Sequence, residues 1–223
     1  MNKIVVYIGK PEAGKRTRTE ELKKRTSLLD NFFIISPGQI LRNAVLKKNP
    51  LGDKVKSYLD EGKLVPDEII STIVIDAIKK VKKQGKDIIL DGFPRTVYQA
   101  KELLKHLPDS TINLLVFDIT DKEVLIRSKH RLYCPVCGTT YTDSKSINPP
   151  KRDNICDYCG TCVIKRPDDK REIVEKRLIS YEKDTMPVIA FLAGKENVLP
   201  LIIPQPFSLS NDPYLERFFK ELR

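Results

Sequence analysis

The stretch IVVYIGKPEAGKRTRTEELKKR, residues 4–25, restricts the possible folds more than any other part of the chain. Ile4 to Ile8 reads as a buried strand. Gly9 and Gly14 follow with four residues between them, Lys15 comes directly after, and a charged run of helical composition closes the segment. A strand, a glycine-bounded loop and a lysine at a helix start let successive backbone N–H groups turn inward around an anion. The strict pattern has Ser or Thr straight after the lysine. Here Arg16 takes that place and the hydroxyl comes one residue later, at Thr17.

Such a loop needs a parallel sheet to carry it, and the rest of the chain supplies the pattern. FFIIS (32–36), DIIL (87–90), INLLVFDI (112–119) and NVLPLII (197–203) have the length and branched-residue content of strands buried on both faces. Helical patterns separate them. In the clearest, Asp67 to Lys82, the residues Ile69, Ile70, Ile73, Val74, Ala77, Ile78 and Val81 form one apolar stripe, with Pro66 and Asp67 as its start. The expectation is an α/β fold, a five-stranded parallel sheet flanked by helices with right-handed crossovers.

Composition removes several classes. At 223 residues with 40% hydrophobic content the chain supports one core with insertions, and no apolar run approaches the roughly 18 residues a membrane helix needs. MNKIVVYIG enters a strand without the apolar stretch of a secretory signal, so a cytoplasmic protein is expected. The net charge of +10 points to anionic partners. Nucleic acid is disfavoured: there is no Trp and no basic stretch interleaved with aromatics, and KKVKKQGK (79–86) reads as the solvated end of a helix.

All five cysteines lie between Cys134 and Cys162, in a segment rich in Gly, Pro, Thr and Asp that breaks the strand-helix alternation. CPVCG and CDYCGTC place two CxxC pairs with residues 138–155 between them, a spacing suited to a tetrahedral zinc site built from two knuckles. Cys134, Cys137, Cys156 and Cys159 are the natural ligands. Cys159 and Cys162 are also spaced as CxxC, so a shifted register stays open. Four thiolates leave no position for substrate, which makes the metal structural, in a lobe with few apolar residues of its own.

Further segments carry a resemblance. SPGQILR (36–42), GKLVPDE (62–68), DGFPRTVYQA (91–100), RSKHR (127–131) and RPDDKREIVEKRLISYEKDTMPVI (166–189), taken with GKPEAGKRT, resemble the adenylate kinase family in identity, order and spacing over nearly the whole chain. The resemblance implies that the five-stranded sheet is of P-loop kinase type, and it implies reversible phosphoryl transfer between ATP and AMP to give ADP, with Mg2+, in a monomer that binds neither nucleic acid nor membrane. It implies that Gly9, Gly14, Lys15 and Thr17 hold the triphosphate and Arg127 stacks on its base. Arg42 and Arg95 hold the monophosphate, with Val65, Gly92 and Gln99 around its base. Arg131, Arg166 and Arg177 close over the transferring group, and Asp91 orients magnesium through water. Asp168 and Asp169 either meet these arginines or stabilise a helix start. Residues 38–65 and 132–167 are then mobile lobes, the second a zinc-binding lid, on a core of residues 1–131 and 168–223.

The chain departs from the family pattern in places. Glu12 and Arg16 stand where the family usually has glycine, which permits close phosphate approach. Arg16 is expected to offset Glu12 by pairing with it or with phosphate. Pro37 replaces a threonine that helps read the monophosphate base, Gln39 replaces an aspartate, and Leu132 stands where many members have an arginine. A UMP- or CMP-preferring kinase, a nucleotide-binding protein with weak transfer, and a zinc-ribbon nucleic-acid binder are the alternatives.

Overall fold

The computed structural model describes residues 2–143, 148–205 and 212–222. Its centre is a parallel sheet of β1 (Ile4–Gly9), β2 (Phe32–Ile35), β3 (Asp87–Asp91), β4 (Ile112–Phe117) and β7 (Val198–Ile203), in the order β2-β3-β1-β4-β7. β1 lies in the middle, with Ile4 opposite both Ile88 and Ile112. Alternate β1 side chains serve two cores. Ile4, Val6 and Ile8 pack on one face, Val5 and Tyr7 on the other, which is why the run is continuously apolar.

Helices α1 (Lys15–Arg25), α2 (Pro37–Leu46), α3 (Pro50–Asp60), α4 (Asp67–Lys83), α5 (Val97–His106) and α6 (Asp121–His130) alternate with the strands. α4 starts at the predicted Asp67 and ends at Lys83. Its buried face is Ile70, Ser71, Val74, Ile75, Ile78 and Val81, so Ile75 joins the core while Ile69, Ile73 and Ala77 are only half-buried. The stripe sits slightly rotated from the sequence reading, and α4 packs on α5, β3, β2 and α2 rather than on a single partner. Burying each large aliphatic side chain stabilises the fold by about 1.5–3 kcal/mol.

Between α6 and the last core helices lies a small lobe. β5 (Arg131–Tyr133) and β6 (Thr140–Thr142) pair antiparallel around a small core that, among the described residues, consists of Leu132, Cys134, Tyr141, Cys156 and Val163. Leu132 belongs to that core and not to the cleft. After a 3-10 turn at Pro167–Asp169, α7 (Arg171–Ser180) runs into a π-helical turn, Tyr181–Thr185, and then α8 (Met186–Ala193). Pro187 has no N–H to donate, and a widened turn just before it absorbs the missing bond. The consequence reaches the site: Thr185 Oγ1 donates to the Arg95 carbonyl at 3.1 Å. α9 (Pro213–Glu221) closes the chain against α1.

Candidate active site

Open parallel sheets bind ligands beyond the carboxyl ends of their strands. In this protein those ends open into a cleft of about 960 Å³. The loop after β1 forms its floor. Gly9 has no room for a side chain, since a Cβ there would lie 2.7 Å from the Phe117 carbonyl oxygen, and Gly14 takes φ +76° to start α1. Lys15 Nζ folds back over the loop and donates to the Gly9 and Lys10 carbonyls, both at 2.9 Å. Burial pushes its ammonium down to about 8; Asp91 and Glu12 oppose the shift, and Arg95 and Arg177 add to it.

The ends of β2 and β3 bring in Arg42 and Arg95. Ser36 and Pro37 open α2, Pro37 occupying the first turn where its missing N–H costs nothing, and Arg42 follows on the next turn. Arg42 Nε is buried without a hydrogen-bond partner among the described residues, and Nη2 reaches only Gln39 Oε1 at 3.4 Å. Burial, then the charge of Arg166, pushes its guanidinium down. Arg95 Nε donates to the Gly92 carbonyl at 2.9 Å, and burial lowers it as well. Gly92 adopts φ +77°, which leaves the Arg95 guanidinium lying against it. Gln99 is engaged within the protein: Oε1 accepts from the Arg95 amide at 2.7 Å and Nε2 donates to Asp67 at 2.8 Å.

The opposite wall carries Arg131, Arg166 and Arg177. Arg166 Nε donates to Asp168 at 2.9 Å, and Arg177 lies 3.3 Å from the same carboxylate. Arg131 is bidentate to Asp169, with Nε at 2.8 Å. Burial raises Asp168, but the Arg166 and Arg177 charges outweigh it and hold the carboxyl far below the ordinary range. The acidic pair thus meets the arginines, while Lys170 is the residue that starts α7. Arg127 donates to Glu123, to the Glu12 carbonyl at 3.2 Å and to Gln205 at 3.1 Å. Thr17 Oγ1 meets Thr140 Oγ1 at 2.8 Å. Asp91, Val65 and every other residue expected at the site also line the cleft.

The expected Arg16–Glu12 pairing is corrected. Arg16 does not neutralise Glu12; its Nε pairs with Glu20 at 2.7 Å and its Nη2 donates to the Cys137 carbonyl at 3.0 Å. The cation that faces Glu12 is Arg131. Gln205 went unrecognised in the sequence. It sits just past the carboxyl end of β7 and donates to the Ala13 and Asp118 carbonyls, and its place beyond a strand end was the available signal.

The four predicted cysteines converge. The Sγ atoms of Cys134, Cys137, Cys156 and Cys159 all lie within 4.8 Å of one another, and Cys162 is outside the group. Each CxxC closes the same knuckle: Gly138 N donates to the Cys134 carbonyl at 2.9 Å, and Gly160 N to the Cys156 carbonyl at 3.0 Å. Zinc–sulfur bonds of about 2.3 Å put tetrahedral sulfurs about 3.8 Å apart, so the cage fits a zinc ion.

A glycine-bounded anion loop at the centre of a parallel sheet, faced by arginines that line the same cleft, defines a P-loop kinase-type protein. A family model described as adenylate kinase matches residues 7–197. The chain is 42% identical over 198 residues to the adenylate kinase of Caldanaerobacter subterraneus subsp. tengcongensis, covering 86% of this chain and 85% of that protein. It is likewise 42% identical to that of Thermoanaerobacter sp. strain X514 (87% and 88%) and 39% to that of Clostridium perfringens strain SM101 (87% and 88%). The chain belongs to the adenylate kinase family.

Proposed function

We propose that the protein transfers a phosphoryl group reversibly between ATP and AMP, giving two ADP. The supporting observation is that Lys15, Arg42 and Arg95 face one cleft, and none has an ion-pair partner among the described residues. Buried positive charge without a carboxylate is costly, and polyphosphate is the ligand that offsets it.

In this reading the backbone N–H groups of residues 9–15 and the Lys15 ammonium hold the triphosphate. Arg127 and Thr17 flank it. Arg42 and Arg95 grip the monophosphate, whose base lies near Val65, Gly92 and Gln99. The two anions are thereby aligned for in-line transfer, and Arg131, Arg166 and Arg177 neutralise charge on the moving group. Arginine suits this task because its fork binds two oxygens and stays charged. Asp91 and Thr17 would hold magnesium, which would supply further neutralisation of the phosphates. Residues 38–65 and the zinc-bearing lid, 132–167, close over the core residues 1–131 and 168–223 and exclude water, which would otherwise accept the phosphoryl group. Positions 144–147 of the lid lie outside the described residues.

No described helix is long and apolar enough to cross a membrane. We place the protein in the cytoplasm as a monomer acting on free nucleotides, without nucleic acid or membrane partners. A coupled assay of ADP formation, run with AMP, UMP and CMP in turn, tests the reading. Transfer that favours AMP and is lost in Arg95→Met supports it; nucleotide binding without measurable transfer overturns it in favour of a binding protein.

A further inference from the structure

Glu12 is the unusual residue of the phosphate loop. Its backbone sits at φ 61°, the left-handed region that costs a side-chain-bearing residue about 1–2 kcal/mol. Its carboxylate is 7% exposed and forms an ion pair with Arg131 Nη1. Arg131 spends its other N–H bonds on Asp169, and Glu12 Oε1 is left without an aligned hydrogen bond. A glycine at this position would avoid both the strain and the buried charge. Arg131 is the residue just before the 132–167 lid and opens β5, the strand that runs into it, so the pair joins the loop to the root of the lid. Two other loop-end residues touch the same lobe: Arg16 through the Cys137 carbonyl and Thr17 through Thr140.

We propose that Glu12 is a positioning residue acting through Arg131: its carboxylate is an internal anion that holds the lid arginine where a triphosphate oxygen binds. The contact keeps the lid against the loop without nucleotide, and an incoming triphosphate has to displace it. This weakens apparent triphosphate affinity by the fraction of molecules in which the pair is open. Monophosphate affinity is untouched, because Arg42 and Arg95 make no contact with Glu12. The triphosphate half rests on the kinase reading; the lid half does not.

The test compares the wild type with Glu12→Gln, which removes charge alone, and Glu12→Gly, which removes charge and strain. Energy transfer between probes at the exposed positions Asp153 in the lid and Lys105 in the core reports closure. Calorimetry reports ATP and AMP dissociation constants. Expected are lower energy transfer in both nucleotide-free variants, restored by ATP, and ATP binding about tenfold tighter with AMP binding unchanged. Energy transfer equal to wild type in both variants overturns the proposal. So does a change seen only with glycine, which would assign the effect to backbone strain. Should the lid open in both variants and ATP bind more tightly while no protein in the series transfers phosphate, the internal anion stands and the kinase reading fails.

Discussion

Arg18 and Asp212 form a fully buried ion pair that ties the phosphate-loop helix α1 to the final helix α9. Arg18 donates through Nε at 2.5 Å and through Nη2 at 3.1 Å, and its guanidinium lies 5.0 Å from the Phe117 ring centroid. Asp212 also caps α9, accepting from the Leu215 amide at 3.1 Å. Since α1 carries Lys15 on its first turn, the pair fixes the helix from which the loop is presented.

Removing one partner of such a pair leaves an uncompensated buried charge, at a cost of about 3–5 kcal/mol. Asp212→Ala is expected to lose that much in urea unfolding. The double variant Arg18→Met/Asp212→Asn keeps an acceptor for the α9 start and should recover most of the loss.

Lys15 predicts a pH dependence. Its folded value, about 8, lies below the ordinary 10.5, so between these two pH values the unfolded chain binds more protons and stability rises with pH. Below pH 8 both states are protonated and the full cost of burying the charge is present. Lys15→Met should abolish the rise, as measured by thermal unfolding from pH 7.5 to about 10. Nucleotide phosphates favour the charged lysine, so ATP binding near pH 9 should take up protons, seen in calorimetry as a buffer-dependent heat.

On the proposed reading, Arg42 trades stability for binding. Its buried Nε has no partner among the described residues, and burial disfavours its charge. Arg42→Met is expected to raise stability by about 0.5–2 kcal/mol in nucleotide-free protein while weakening AMP binding about 100-fold or more. Differential scanning calorimetry with and without AMP checks both signs: wild type gains more from AMP than the variant does.

The cysteine cage predicts one zinc per chain. Cys137→Ser should lose the metal and the order of the lid, whose own apolar core is too small to persist, while leaving the sheet folded. Cys162→Ser should retain full metal content, because its sulfur lies outside the cluster. Elemental analysis paired with hydrogen exchange of residues 132–143 separates the two variants.

Much of this architecture was readable in advance. β1, β3 and β4 announce themselves as apolar runs because the inner strands of the parallel sheet are covered on both faces; the edge strands β2 and β7 read the same way in sequence, yet only Ile35 of β2 and Val198 and Ile203 of β7 are buried. The loop announces itself through Gly9, Gly14 and Lys15, and the metal quartet through paired CxxC spacing. These are local signals, set by backbone conformation and by reach along the chain. Less visible were Ile75, which joins the core where α4 packs against α2, α5, β2 and β3 together, and Gln205, whose role depends on where β7 ends.

From its residue order alone, the chain settled an α/β sheet with an anion loop at its centre and a thiolate lobe inserted beside it. Tertiary structure alone decided the charge partners. Arg16 is four residues from Glu12 in the chain, yet Arg131 faces it; Cys159 and not Cys162 completes the cage. The Glu12–Arg131 pair and the metal geometry depend on ångström distances between segments remote in sequence, which helical periodicity, although it encodes the four-apart pair Arg16–Glu20, does not specify.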